Sequence, residues 1–254
     1  MESLMTTQIA AHRGGAILWT ENSRNAFRRA SALPVEQVEF DVHLSADDAV
    51  MVLHDATLER TTEGQGPLRA QTAAALTAIR LKGTDGETIP TLEEVLDLFA
   101  PTPLVPRIEL KRDAEGRAYP GLLPRVVAAL EARGLLGRTV ITSFDLAQAA
   151  AAAASRRFAR PSIWLVSLAC WKDLGAAGVA GAVRGAGVTA VGLHQSVCDA
   201  NSLDALRCEN LGVGAWAVNG PATIRRILAL GVDVFTTDDP VTALEARRAL
   251  QESA

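Results

Sequence analysis

The alternation of short strand-like runs with longer helix-like runs is the feature that most constrains the fold of this chain. Eight runs are short, apolar and mostly rich in β-branched residues, which is typical of buried strands. Each is followed by a helix-like segment, of which "ACWKDLGAAG" after the fifth run has the weakest pattern. The predicted strands cover residues 7–12, 35–42, 103–110, 139–144, 161–166, 188–193, 212–218 and 232–237.

Such alternation predicts an α/β protein with a parallel sheet. Eight repeats in 254 residues fit a closed (β/α)8 TIM barrel. The alternative, a doubly wound open sheet, is disfavoured because no G-x-G-x-x-G follows the first strand. No linker divides the chain, so we predict one domain over residues 1–254. Residues 44–90 break the rhythm with an extra strand-like run, "AVMVLHD", and a polar, turn-rich stretch, which predicts a small insertion after strand two.

Charge and cysteine content exclude several classes of function. The net charge of −4 provides no basic field for nucleic acid or an anionic membrane. An odd number of cysteines without C-x-x-C argues against a disulfide framework or a zinc site. The opening "MESLMTTQ" lacks a signal-peptide pattern, and the weakly polar run 178–193 is a poor membrane span. We therefore expect a cytoplasmic location and no stable membrane association.

Charged and imidazole side chains stand where the predicted strands end. In a TIM barrel, functional groups lie at the C-terminal ends of the strands. Residues two apart in a strand point to the same face, so paired side chains at one strand end are expected to project together. We therefore expect three carboxylates and two imidazoles to converge on one rim. The residues are His12 and Arg13, Glu39 and Asp41, His54 and Asp55, and Glu109 and Lys111.

Convergence of the three carboxylates predicts a metal site. Two carboxylates about 4 Å apart repel each other by roughly 4 kcal/mol at an effective dielectric constant near 20, and a divalent ion reverses that sign. Oxygen ligands favour hard cations, so Glu39, Asp41 and Glu109 are predicted to hold Mg²⁺ or Ca²⁺. The alternative is that these carboxylates form ordinary ion pairs with Arg13 and Lys111.

Histidines and aromatic rings complete the candidate site. His12 and His54 stand beside acidic residues at strand ends and suit general acid–base catalysis near neutral pH. Other rings are candidates for the rim or pocket wall, with ordinary packing as the alternative, and among them Trp216 is taken as a substrate-binding candidate. These rings belong to His43, His194, Trp19, Phe144 and Trp216.

The order of several short motifs resembles the glycerophosphodiester phosphodiesterase family. The motifs span nearly the whole chain, and although each is weak alone, their order and spacing are specific. They are "AHRGG", "ENSRNAF", "VEFDVHLSADDAVMVLHDATLERTTEGQG", "IPTLEEVLDLF", "RIELK", "ITSFD", "GAWAVN" and "DVFTTDDP".

The resemblance implies a barrel that hydrolyses a small-molecule glycerophosphodiester to sn-glycerol 3-phosphate and an alcohol. Either a neighbouring glycerol hydroxyl, which would give a cyclic phosphate, or water could attack the phosphorus. Carried over by motif, the roles are an acid–base pair of His12 and His54, metal ligands Glu39, Asp41 and Glu109, phosphate contacts Arg13 and Lys111, and substrate-end residues Glu21 and Asn22.

This chain departs from the family pattern at several positions around the rim. Thr20 stands in place of the usual Pro, residues 46–49 in place of a Lys-Asp-Gly turn, and Ala217 in place of Thr, and no Gly precedes strand two. None of these changes removes a proposed catalytic group, but they leave the preferred alcohol open. The compact insertion implies an open pocket for small soluble diesters. Two alternatives remain: a phospholipase-like enzyme acting on lipid head groups, and a non-catalytic barrel that binds a phosphodiester or metal.

Overall fold

The computed structural model describes residues 7–252, so residues 1–6, which form most of the stretch without a signal-peptide pattern, lie outside the described part. The strands are β1 (Gln8–Ala11), β2 (Gln37–Leu44), β3 (Val50–Val52), β4 (Val105–Leu110), β5 (Val140–Ser143), β6 (Ile163–Val166), β7 (Ala190–His194), β8 (Gly212–Trp216) and β9 (Val234–Thr237). The helices are α1 (Arg24–Ser31), α2 (Ala73–Leu76), α3 (Leu92–Phe99), α4 (Leu122–Glu131), α5 (Leu146–Ser155), α6 (Leu168–Ala186), α7 (Ala200–Arg207), α8 (Pro221–Leu230) and α9 (Pro240–Glu252).

Eight parallel strands close into a barrel. Their order is β1-β2-β4-β5-β6-β7-β8-β9, and β1 pairs with both β2 and β9, so the ring has no free edge. A helix covers the outside after each of the eight strands. The predicted (β/α)8 barrel is therefore confirmed, and the open doubly wound sheet is excluded.

Strand β2 shows how the sequence assigns the two faces of the barrel wall. Phe40 packs against Phe27 of α1 and Phe99 of α3, with ring centroids 5.6 and 5.9 Å apart. Because alternate residues of a strand point to opposite faces, Glu39 and Asp41 project to the other side, into the barrel. The apolar positions of β2 thus form the core between barrel and helices, and the polar ones line its interior.

Local signals set the helix ends. The Ser23 hydroxyl accepts a hydrogen bond from the Ala26 amide, so Ser23 caps α1. Helix α6 extends well beyond the predicted 169–178, because the chain resumes a helix after a break at Gly175, which has a φ of +60°. The run 178–193 forms the end of α6 and most of β7. Within residues 7–252 no helix combines the length and apolar character that crossing a bilayer requires.

The segment between β2 and α3 is an insertion with its own small core. Strand β3 pairs antiparallel with the end of β2, and the Leu53 amide donates a hydrogen bond to the Asp41 carbonyl over 3.1 Å. This return of the chain brings His54 and Asp55 beside the C-terminal end of β2. The buried apolar residues that hold the insertion are Met51, Leu53, Leu58, Leu68, Leu76, Leu81 and Ile89.

Candidate active site

Two neighbouring strands bring the three predicted metal ligands together. In the parallel register of β2 and β4, Asp41 lies beside Glu109 and Glu39 lies beside Arg107. One carboxylate oxygen from each of Glu39, Asp41 and Glu109 lies within 4.8 Å of the others, and all three side chains are buried. The cluster follows from sheet register, which the sequence could only imply.

A tight turn after β1 carries His12 and Arg13 into the same place. Arg13 and Gly14 have φ values of +52° and +82°, in the left-handed region. A Cβ on Gly14 would lie 2.9 Å from the Ala26 Cβ, so only glycine lets α1 approach this turn. The Arg13 amide donates to Glu39 Oε2 over 3.1 Å, which fixes the turn against the acidic cluster.

Ion pairs with the neighbouring cations neutralise part of the acidic cluster. Lys111 Nζ lies 2.8 Å from Glu109 Oε1 and 3.4 Å from Asp41 Oδ1, and Arg13 Nε lies 3.4 Å from Asp41 Oδ2. Burial alone would raise the pKa of Asp41, but these cations and the nearby histidines hold it well below its usual range. The ion pairs that the sequence offered as the alternative are therefore present, and Lys111 and Arg13 each lie within 3.4 Å of an oxygen of Asp41.

The carboxylate oxygens of this cluster suit a divalent metal ion. Burial, reinforced by Asp41, raises the pKa of Glu39 to about 7, so this carboxylate needs a proton or a further cation. Asp41 Oδ1 is buried and makes no hydrogen bond within the described chain. A set of three carboxylates with spare acceptor capacity suits a hard divalent cation. Glu39, Asp41 and Glu109 could therefore bind one.

His12 is held by a carboxylate that the sequence did not single out. Its Nδ1 lies 2.5 Å from Asp238 Oδ1, and Asn219 Nδ2 donates to Asp238 Oδ2 over 2.5 Å. A carboxylate accepts the Nδ1 proton, which leaves Nε2, 3.8 Å from Glu39 Oε2, free to exchange protons. Burial lowers the pKa of His12, but Glu39 and Asp238 outweigh it and raise the pKa above the usual value.

His54 has a matching arrangement supplied by the insertion. Its Nδ1 lies 2.5 Å from Asp55 Oδ1, and Arg60 Nε donates to Asp55 Oδ2 over 2.5 Å. Arg60 also donates to both carboxylate oxygens of Glu21 over 2.8 Å, and Arg13 Nη1 donates to Glu21 Oε1 over 3.0 Å. One continuous charge network therefore joins His54 to Arg13 across the rim.

His43 lies behind His54. Its Nε2 is 3.0 Å from the His54 carbonyl oxygen, and its Nδ1 is 2.9 Å from the Tyr119 hydroxyl. Because a carbonyl only accepts, Nε2 carries the proton and Nδ1 accepts from Tyr119. Burial lowers the pKa of His43 to about 4, so the ring is neutral at pH 7. This imidazole fixes the backbone of His54.

His12 and His54 line a cavity of about 240 Å³ in the barrel mouth. Trp216 forms one wall, and its ring contacts those of Phe144 and His194 edge-on, with centroids 5.2 and 4.6 Å away. His194 itself is outside the described cavity wall, and Trp19 lines a separate cleft. The residues around the cavity are His12, Arg13, Glu39, His54, Arg107, Glu109, Thr142, Phe144, Leu165, Trp216, Ala217 and Thr236.

Two residues expected at the substrate end instead contact other protein groups. Asn22 is fully buried, and its Nδ2 donates to Asp41 Oδ2 over 3.0 Å. Glu21 is engaged by Arg13 and Arg60. Neither residue is part of the described cavity wall, and their role toward substrate stays a prediction.

Several residues that the structure places in the site were assigned no role from the sequence. Asp238 and Asn219 stand in the quoted motifs "DVFTTDDP" and "GAWAVN", but only the pairing of β9 with β1 and with β8 reveals that Asp238 contacts His12 and that Asn219 contacts Asp238. Arg60 needs the fold of the insertion. Arg107 carried a usable signal, since it shares the two-residue spacing of Glu109 and Lys111 along one strand.

Comparisons with known proteins agree with this geometry. The model of the Glycerophosphoryl diester phosphodiesterase family matches residues 12–242. A glycerophosphodiester phosphodiesterase of Bacillus altitudinis is 29% identical over 96% of this chain and all of that protein. A provisionally assigned glycerophosphoryl diester phosphodiesterase structure from Agrobacterium tumefaciens has a TM-score of 0.93 and 33% identity, covering 97% of this chain and 99% of the other.

A further solved structure shows a barrel of the same fold with a bound product. It is a phosphodiesterase of Oleispira antarctica in complex with the product sn-glycerol-3-phosphate. Its TM-score is 0.76 and its identity 24%, covering 95% of this chain and 96% of that one. Since the family model matches residues 12–242 of the 254, the chain belongs to the glycerophosphoryl diester phosphodiesterase family and is a phosphoric diester hydrolase.

Proposed function

We propose that this enzyme hydrolyses small glycerophosphodiesters to sn-glycerol 3-phosphate and an alcohol, using a divalent metal ion and two histidines. The observation that carries the proposal is the convergence of three buried carboxylates with two carboxylate-bound imidazoles around one cavity. Acid–base pairs and acidic clusters of this kind suit hydrolysis of an anionic ester. The bound product of the Oleispira antarctica protein supports a glycerophosphate substrate.

In this proposal Glu39, Asp41 and Glu109 hold the metal ion. When bound, the ion would supply Lewis-acid stabilisation of negative charge on a substrate oxygen. Arg13 supplies a guanidinium at the cavity wall, and the Lys111 ammonium lies beside Glu109. Both cations stabilise the charge that accumulates on phosphoryl oxygens in the transition state.

His12 and His54 divide the proton transfers between them. One Nε2 accepts the proton of the attacking hydroxyl, and the other imidazole donates a proton to the leaving alkoxide. Asp238 and Asp55 each accept an Nδ1 proton, which orients the rings and stabilises their charged forms. Both attack by a glycerol hydroxyl and direct attack by water are compatible with these roles.

The remaining parts of the proposal concern setting. The cavity of about 240 Å³ suits a small diester, and Trp216 offers an apolar wall for its carbon chain. The oxygen-only ligand set favours Mg²⁺ or Ca²⁺. We also propose a cytoplasmic location and a single domain, which the three free cysteines and the one continuous sheet support.

Release of glycerol 3-phosphate from glycerophosphocholine and glycerophosphoethanolamine tests the proposal. We expect turnover with Mg²⁺ or Ca²⁺ and loss of turnover in excess chelator. His12→Ala and His54→Ala should each lower kcat by about 10²–10⁴-fold. His194→Ala removes an imidazole outside the cavity wall and should change kcat by less than about threefold. Full activity in excess chelator, or no turnover of either diester with metal supplied, would refute it.

A further inference from the structure

Arg107 is a buried cation with an unused hydrogen-bond donor. Only 2% of the residue is exposed, yet Nη1 makes no hydrogen bond within the described chain. Glu39 is its direct neighbour across the β2–β4 pairing, and the charges of Glu39 and Glu109 act on the guanidinium, but neither carboxylate accepts a hydrogen bond from Nη1. A guanidinium stays protonated in proteins, so the barrel interior contains a positive charge with an unused hydrogen-bond donor.

Burial of such a group is costly unless something accepts its hydrogen bonds. An unsatisfied charged donor in a low-dielectric interior destabilises a fold by several kcal/mol. An apolar residue of similar volume would fill the same space at lower cost. The guanidinium lines the cavity that the two histidines share, so a ligand in that cavity can supply the missing acceptor.

Arg107 also occupies a distinct level of the cavity. It precedes Glu109 by two residues on β4, which places its Cα roughly 6–7 Å further from the barrel mouth. The side chains of His12 and His54 are 25% and 29% exposed, whereas Arg107 is almost fully buried. The histidines and Arg107 line one cavity of about 240 Å³, so a substrate whose phosphorus lies at the histidines can extend toward Arg107.

Two further donors in the same wall lack partners. Thr142 Oγ1 and Trp216 Nε1 are buried without a hydrogen bond in the described chain, and both residues line the cavity. Thr142 stands beside Glu109 in the register of β5 with β4. Three unsatisfied donors on residues of one cavity wall favour a ligand that offers neutral oxygen acceptors, beyond the phosphate that the rim cations would bind.

We propose that Arg107 is a specificity-determining residue that donates hydrogen bonds to the hydroxyl oxygens of the glycerol half of the substrate, with Thr142 beside it. The inference rests on the proposed function and deepens it, because it assigns the inner end of the cavity to the polyol. Arg107 then selects a hydroxylated substrate half over an alkyl one and leaves the phosphate to the rim.

Binding of two matched phosphomonoesters to the metal-loaded protein tests this assignment. The probes are sn-glycerol 3-phosphate and n-propyl phosphate, which differ only by two hydroxyl groups, and their dissociation constants are measured by calorimetry. We expect Arg107→Met to weaken glycerol 3-phosphate binding by about tenfold to a hundredfold. Binding of n-propyl phosphate should change by less than about threefold. Gln37→Met, which removes a buried polar group outside the cavity wall, should leave both constants unchanged.

The outcomes separate the two proposals. Equal weakening of both probes, or no change in either, would overturn the role of Arg107 while leaving the proposed function intact. Failure of the unmodified protein to bind glycerol 3-phosphate or turn over a diester would instead refute the proposed function. If Arg107→Met does not fold, Arg107→Lys keeps the charge but loses the planar fork, and the same selective loss is expected. A Lys variant that binds both probes like the native protein would contradict the assignment.

Discussion

At the level of single residues, the two catalytic candidates share one arrangement. Each imidazole gives its Nδ1 side to an aspartate, His12 to Asp238 and His54 to Asp55. The aspartates come from opposite sources, one from the end of β9 and the other from the insertion. Both rings therefore have a fixed orientation before substrate binds. Substitution of an aspartate tests whether that orientation matters for catalysis.

Asp238→Asn tests whether orientation and charge at His12 matter. The amide cannot replace the anionic acceptor at Nδ1, so we expect kcat to fall by about 10²–10⁴-fold with a KM within about threefold. Asp239→Asn is the matched control, because Asp239 bonds to Thr242 at the start of α9 and not to His12. Steady-state kinetics of both variants checks this, and equal activities of the two would contradict the role of Asp238.

His43 gives a prediction for stability against pH. Its folded pKa is about 4, while an unfolded histidine titrates near 6.5, so between these values the unfolded state binds more protons. Stability must therefore fall as pH decreases from 6.5 to 4, by roughly 2–3 kcal/mol for this group, and stay level below that window. Denaturant unfolding at pH 7 and pH 4.5 should show a larger loss for the native chain than for His43→Gln. A loss as large in the variant would exclude His43 as the source.

Some contacts of single residues could be predicted from the sequence, and others could not. Glu39, Asp41 and Glu109 were predictable as a cluster because spacing along two strands is written in the sequence. Asp238 was not, because its contact with His12 depends on β9 closing the barrel beside β1. The hydrogen bond from buried Asn22 to Asp41 was likewise not predictable, because it depends on how the turn before α1 packs against β2.

At the level of elements, the insertion matters most. It supplies His54, Asp55 and Arg60 from a segment whose apolar core is small and separate from that of the barrel. A small core is stabilised by few packing contacts, so the loss of any one of them can displace these three side chains. The sequence predicted the place of the insertion but not its internal packing, because short bridges and turns leave no periodic pattern.

Leu58→Ala tests this dependence. Leu58 is fully buried in the insertion, and its truncation should cost about 2–5 kcal/mol locally. We expect faster hydrogen exchange within residues 53–81 and a kcat at least about fivefold lower, because Arg60 and Asp55 lose their support. Leu206→Ala removes an equally buried leucine from α7 and should lower global stability while leaving kcat within about twofold. Indistinguishable kcat values for the two variants would refute the dependence.

At the level of the whole molecule, closure of the barrel brings residues that are distant in sequence into one site. Parallel strands place every C-terminal end at one rim, so residues up to 226 positions apart in sequence, His12 and Asp238, meet there. The repeat count and the lack of a dinucleotide motif were sufficient to predict this architecture. Strand and helix ends were less predictable, as α6 shows, because a glycine with positive φ can interrupt a helix without ending it.

The central claim is that three carboxylates from β2 and β4 hold one divalent ion. Calorimetric titration of Mg²⁺ or Ca²⁺ into metal-free protein tests it directly, with Glu39→Gln as the matched variant. We expect one ion per native chain, tighter binding at pH 8 than at pH 6 because Glu39 loses its proton near pH 7, and at least about tenfold weaker binding in the variant. A native chain that binds no ion, or a Glu39→Gln chain that binds it equally well, would contradict the account.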